Sequence, residues 1–175
     1  MKNEATLLVI QNRHNGDTVI ENVLNYVISS PFADLNEVMA YGLTLDYYKM
    51  IQEFYQVQEP YRELEKHRRI FHMVLSARPS KHIQRTLDEG AKYFLDYMIM
   101  KGHQVLLVPH DGSRTNCNNY HWHAVVNVKS YLTGETLYDR FATYKEICDY
   151  LIQNQNIHWD YKYHTDNKII SSEYF

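Results

Sequence analysis

"HQVLLVPHDGSRTNCNNYHWHAVVNVKS", residues 103–130, decides how this chain is read. Its two ends, "HQVLLVPH" (103–110) and "HWHAVVNVKS" (121–130), are β-branched apolar runs, and the ten residues between them form a polar loop. Side chains two apart on a strand share a face. His121 and His123 therefore project together, with Val125 and Asn127, and Trp122 points the other way. If the two strands are antiparallel neighbours, the end of the first lies beside the start of the second, and His110 joins the pair. Three imidazoles on neighbouring strand ends make an open facial site with positions left for water or a substrate oxygen. The competing reading is that these are plain surface or packing histidines. Asp111 fits either a carboxylate that orients a ligand histidine or an ordinary turn residue.

Outward from this stretch, "TLLVIQ" (6–11) reads as a strand followed by the turn cluster "NRHNGD". A helix follows through "TVIENVLNYVIS", capped by Asp17 or Thr18, with Val19, Val23, Tyr26 and Val27 at helical spacing. A second helix runs from Thr44 or Asp46 to about Val57. "RIFHMVLSAR" (69–78) is a strand, and 81–101 is a helix stopped by Gly102. After residue 130, "YLTGETLYD" is a turn with room for a short strand. "ATYKEICDYLIQN" is the last helix, and the tail is polar and aromatic. The order β-α-α-β-α-β-β-α predicts an α+β fold: a central, mainly antiparallel sheet flanked by helices.

At 175 residues the chain is expected to form a single domain over 1–175, long enough to bury a core without disulfides. Its two cysteines, Cys117 and Cys148, form no metal or redox pair, which suits a reducing cytoplasmic setting. No segment has the length and apolarity of a membrane span. No glycine-rich phosphate loop is present. The formal net charge of -3 requires any nucleic-acid partner to meet a local basic patch. The candidates are Arg62, Lys66, Arg68, Arg69, Arg78, Lys81 and Arg85, which equally describe a solvated face. Tyr41, Trp122 and Trp159 are possible stacking platforms or plain packing residues.

Together "IENVLNYVIS", "HMVLSARPS", "HQVLLVPHD" and "HWHAVVNVKSYLTGETLYD" resemble the relaxase, or plasmid mobilisation nuclease, domain. The resemblance runs from about Thr6 to Asn154, and the histidine motif followed by the "TG" turn is its most specific part. It implies a histidine-hydrophobic-histidine (HUH) endonuclease with a divalent ion, Mg²⁺ or Mn²⁺, on His110, His121 and His123. It also implies that Tyr26 attacks one phosphodiester of single-stranded DNA at a transfer origin, in conjugation, giving a 5′-phosphotyrosine and a free 3′-hydroxyl. Accessory mobilisation proteins would be further partners. Free phenols, with a pKa of about 10, are poor nucleophiles near neutral pH. A cation that neutralises phosphate oxygens answers that need.

Several readings stay open on the sequence. Tyr26 lies on the apolar side of its helix and could be core. Tyr144 and Tyr150, on a helix after the histidines, occupy the nucleophile position of rolling-circle replication initiators and small transposases. A DNA-binding accessory protein without nicking activity is a third possibility. His72 is either a satisfied core histidine or a support to the site, and Asn127 either bonds backbone or meets DNA. Two features depart from the family pattern: Asp111 follows His110 directly, and the loop to His121 is long. A minimal relaxase, an excised nuclease domain and an inactive remnant all fit the chain's length.

Overall fold

A computed structural model describes residues 5–10, 16–61, 68–112 and 120–164. Arg62, Lys66, Cys117 and most of the loop before His121 lie outside them. The elements are β1 (Ala5–Ile10), α1 (Val19–Ile28), β2 (Met39–Tyr41), α2 (Tyr47–Gln58), β3 (Ile70–Ala77), α3 (Ile83–Lys101), β4 (His103–Asp111), β5 (Tyr120–Ser130), α4 (Phe141–Gln155) and β6 (Trp159–His164). They form one six-stranded sheet in the order β2-β4-β5-β3-β1-β6. Every neighbouring pair is antiparallel except β1 and β6. The α+β class with a mainly antiparallel sheet is therefore as the sequence implies.

Strand alternation sorts the side chains into two layers. Leu7, Val9, Phe71, Met73, Leu107, Trp122, Ala124 and Val126 are buried on one face under α3 and α4, with Phe94, Tyr144 and Ile147. Ile70, Leu106, Val108 and Val125 are buried on the other face under α1 and α2, with Ile20, Leu24 and Phe54. Each fully buried side chain of this size contributes about 1.5–3 kcal/mol of transfer free energy.

Local sequence explains the boundaries. The Asp46 carboxylate caps α2 by accepting from the Lys49 amide at 3.0 Å. Gly102 ends α3 in the left-handed region at φ 71°. A Cβ there would come within 2.7 Å of Ser130 Oγ, so glycine is required on both counts. Thr18, not Asp17, stands at the start of α1, and its side chain makes no capping bond to the backbone.

Two strands go beyond the sequence reading. β2 is three residues at the sheet edge, too short to leave a pattern. β6 lies in the segment read as a polar tail, and it pairs parallel to β1 from Ala5↔Trp159 onward. Trp159 is buried over α3 at Gly90, where a Cβ would come within 2.6 Å of its ring.

Candidate active site

The register of β4 and β5 sets His110 opposite His121 and Val108 opposite His123. Alternation then turns all three imidazoles toward the α1/α2 face. One ligand nitrogen from each lies within 4.8 Å of the others. His121 Nε2 and His123 Nε2 are 3.1 Å apart. Two imidazole nitrogens about 2.1 Å from one ion stand about 3.0–3.4 Å apart, so this spacing fits shared coordination. His110 Nε2 donates to the Val27 carbonyl at 2.8 Å, which leaves Nδ1 with the lone pair a cation needs. Burial depresses the pKa of His110, and the Val27 bond only partly opposes it. Burial holds His123 well below its ordinary value, reinforced by the neighbouring His72, His121 and His110. Neutral imidazole is the form that binds metal, so the donor set fits a divalent ion.

α1 reaches this cluster with its last turn. Segment 30–34 anchors it: Asp34 N–H donates to the Pro109 carbonyl, and Asp111 N–H donates to the Phe32 carbonyl, both at 2.9 Å. Val19, Ile20, Val23, Leu24 and Val27 bury the helix in the α1/α2 core. Tyr26 overhangs the end of that core and is 62% exposed. Its ring meets His72 at 5.9 Å and His123 at 5.8 Å between centroids, both T-shaped. Periodicity placed Tyr26 with the apolar residues. At this point along the sheet, however, that helix face meets histidines instead of a core. The Val27 carbonyl is a site group that sequence reasoning missed, because a backbone atom leaves no residue signature.

A family model described as "Relaxase: MobA/VirD2-like, nuclease domain" matches residues 26–157. The chain belongs to this relaxase family. Searches of curated proteins and of solved structures found no significant match. The matched span begins at Tyr26 and includes His72, His110, His121 and His123. Membership implies DNA binding and endonuclease action of the kind that serves mobilisation. Among the described residues no helix is long and apolar enough to cross a membrane.

The remaining candidates of this relaxase divide sharply. His72 on β3 is buried, with Nε2 2.7 Å from His123 Nδ1. Asp111 follows His110 on β4, so alternation turns it to the opposite face: it pairs with Tyr120 and lines a cavity of about 540 Å³ with Lys81 and Ile83 of the α3 side. The carbonyl of Val27 orients His110 instead. Asn127 is fully buried, which rules out the DNA contact. It donates to the Phe54 carbonyl and to Gln104 Oε1, and accepts from Gln58 Nε2 and the Lys129 amide.

Among the described residues the basic stretch is not one patch, because β3 separates Arg69 from Arg78 by about 30 Å. Arg69 is buried against Tyr55, and Arg68 is held by Asp139 at 3.1 Å and by the Phe71 ring. Burial therefore removes Arg69 from the DNA-facing set, and that pairing engages Arg68. Arg78, Lys81 and Arg85 are exposed beyond the end of β3 that borders the histidines. Trp122 and Trp159 are buried and offer no stacking surface, whereas Tyr41 is half-buried against Tyr131. Tyr144 is buried with its hydroxyl on Asp139, and Tyr150 packs on Tyr97, both on the α3/α4 side.

Proposed function

We propose that this relaxase nicks and transfers single-stranded DNA at a transfer origin through a 5′-phosphotyrosine on Tyr26. The observation that carries the reading is the meeting of the Tyr26 ring with His72 and His123 at the mouth of the histidine cluster. The rival nucleophiles Tyr144 and Tyr150 lie across the sheet from it. His110, His121 and His123 would hold a divalent ion, Mg²⁺ or Mn²⁺. Once bound, that ion supplies positive charge against the non-bridging phosphate oxygens.

The chain's own groups do the rest. The Tyr26 oxygen attacks phosphorus and gives up its proton to solvent, and the P–O3′ bond breaks, the departing O3′ taking up a proton from solvent to become a 3′-hydroxyl. The phosphodiester is exchanged for a phosphotyrosine bond, so rejoining needs no further energy source. Exposure of Tyr26 leaves its outer side open to an incoming strand. Arg78, Lys81 and Arg85 supply phosphate contacts along the same end of the sheet.

The test is incubation with a labelled single-stranded oligonucleotide library in Mn²⁺, resolved on denaturing gels. A covalent adduct that Tyr26→Phe abolishes is expected. Wild-type protein that forms no adduct with any strand would defeat the reading and favour an accessory DNA-binding role.

A further inference from the structure

The buried contact between His72 and His123 carries a consequence for how an ion is received. Each ring nitrogen of His123 has a close imidazole partner: His72 Nε2 lies 2.7 Å from its Nδ1, and His121 Nε2 lies 3.1 Å from its Nε2. A neutral imidazole has one N–H, so these contacts allow two tautomers. If His72 donates, the proton of His123 sits on Nε2, facing His121, and His123 has no lone pair for a cation. If His72 accepts, the proton sits on Nδ1 and the Nε2 lone pair faces the other ligands. His123 is only 4% exposed and His72 only 6%, so bulk water does not make this choice.

We infer that His72 is a positioning residue that accepts the Nδ1–H of His123 and so reserves Nε2 of His123 for the cation. This rests on the reading of His110, His121 and His123 as the ion site. β3 supplies the geometry: His72 stands opposite Val125 and His123 opposite Val74, which makes the two histidines diagonal neighbours across the β3–β5 pair. Their ring centroids are 5.0 Å apart and tilted by 33°. The role is the one that carboxylates and carbonyls play behind other metal-binding histidines, here taken by a third strand's imidazole. His110 receives the equivalent support from the Val27 carbonyl.

The test measures Mn²⁺ binding by calorimetry for the wild type, His121→Ala, His72→Gln and His72→Leu. Glutamine keeps an acceptor at about the reach of Nε2, and leucine fills the space without one. His72→Leu is expected to weaken Mn²⁺ binding by about 10–100-fold, as loss of such a partner does elsewhere. His72→Gln stays within about threefold of wild type while both variants melt at similar temperatures without metal. Wild-type affinity in His72→Leu overturns the proposal alone. Binding absent from the wild type, or unaffected by His121→Ala, overturns the ion-site reading and the proposal with it. Should His72→Leu fail to fold, nitrogen-15 spectra of wild type loaded with Mg²⁺ or Zn²⁺ decide. A proton on Nδ1 of His123 supports the assignment, and one on Nε2 overturns it.

Discussion

Replacing Asn127 with leucine distinguishes a DNA-contacting residue from an internal fastener. The Asn127 amide ties three elements: α2 through Gln58 and the Phe54 carbonyl, β4 through Gln104, and its own strand through the Lys129 amide. Leucine has the same branching and number of heavy atoms, is somewhat bulkier, and has no polar atoms. Gln58 Nε2 keeps its bond to the Arg69 carbonyl at 2.7 Å. The Phe54 carbonyl keeps its helical partner within α2, whereas Gln104 Oε1 and the Lys129 amide lose the partner shown here. Leaving a buried group unpaired costs about 1–3 kcal/mol, so two of them, less the gain from burying leucine, cost about 3 kcal/mol. In a domain of this size that lowers Tm by about 6–12 °C.

Calorimetry and urea denaturation read the change. A double-mutant cycle with Gln104→Leu should be less than additive by about 1 kcal/mol, because the two side chains share a bond. Mn²⁺ binding well below Tm should be unchanged, since Asn127 is about 13 Å along the strand from His123. A Tm shift under about 2 °C, about 1 kcal/mol or less on the same scale, would refute the accounting. So would a folded variant that specifically loses oligonucleotide affinity.

Tyr144→Phe should lose about 1 kcal/mol of stability with its bond to Asp139 and retain the DNA adduct, as should Tyr150→Phe. An adduct surviving Tyr26→Phe but lost in Tyr150→Phe would move the nucleophile to α4. Lys81→Ala and Arg78→Ala should each reduce the salt dependence of single-strand binding by a slope of about 0.7, and Arg69→Ala should destabilise the fold with the slope intact. An unchanged slope in all three would remove the end of β3 from the DNA path. Buried His103, which donates to the Asn127 carbonyl at 2.8 Å, has its pKa lowered by burial, partly offset by that bond. Its stabilising contribution is therefore complete above the unfolded value of about 6.5 and is lost as pH falls below it toward the folded value. His103→Gln should show a shallower loss of Tm between pH 7 and pH 5 than wild type, and an equal loss would exclude His103 as a cause.

The sequence made the β4–β5 pair legible because two apolar runs flank one polar loop, and period-2 alternation then put His121 and His123 on one face. Reach through the long loop was the doubtful point for His110, yet cross-strand register brings it opposite His121 without reference to the loop's conformation. β6 carries a strand signal inside the polar and aromatic tail: in "WDYKYH" the aromatics Trp159, Tyr161 and Tyr163 alternate with polar residues. Tyr161 and Tyr163 both meet the rings of Phe141 and Tyr144. The basic run misleads even though the strand over 69–78 is legible inside it, because grouping charges by linear proximity ignores that a strand carries its two ends far apart. Arg69 enters β3 from the buried end and Arg78 leaves it at the exposed one. Tyr26 was ambiguous because helical periodicity gives a direction from the axis but not what lies there.

The last turn of α1 joins two requirements that oppose each other. It presents Tyr26, the proposed nucleophile, to solvent, and it also brings the carbonyl end of a helix against the site, with the Val27 oxygen on His110. A helix C-terminus carries the equivalent of about half a negative charge. That pole favours a cation held by neutral imidazoles and opposes a bare phosphodiester. Buried His110 and His123, kept uncharged, do nothing to offset it. Strand binding at Tyr26 should therefore depend on the ion even where no bond is made or broken. Tyr26→Phe, which cannot form the adduct, isolates that effect. Its affinity for a single-stranded oligonucleotide, measured by fluorescence anisotropy at fixed ionic strength, should fall at least severalfold when EDTA replaces Mn²⁺. The His121→Ala form of the same variant should show no such difference. Equal affinity of Tyr26→Phe with and without Mn²⁺ would mean that the phosphate is held elsewhere, and that the charge at the histidines serves only the chemical step.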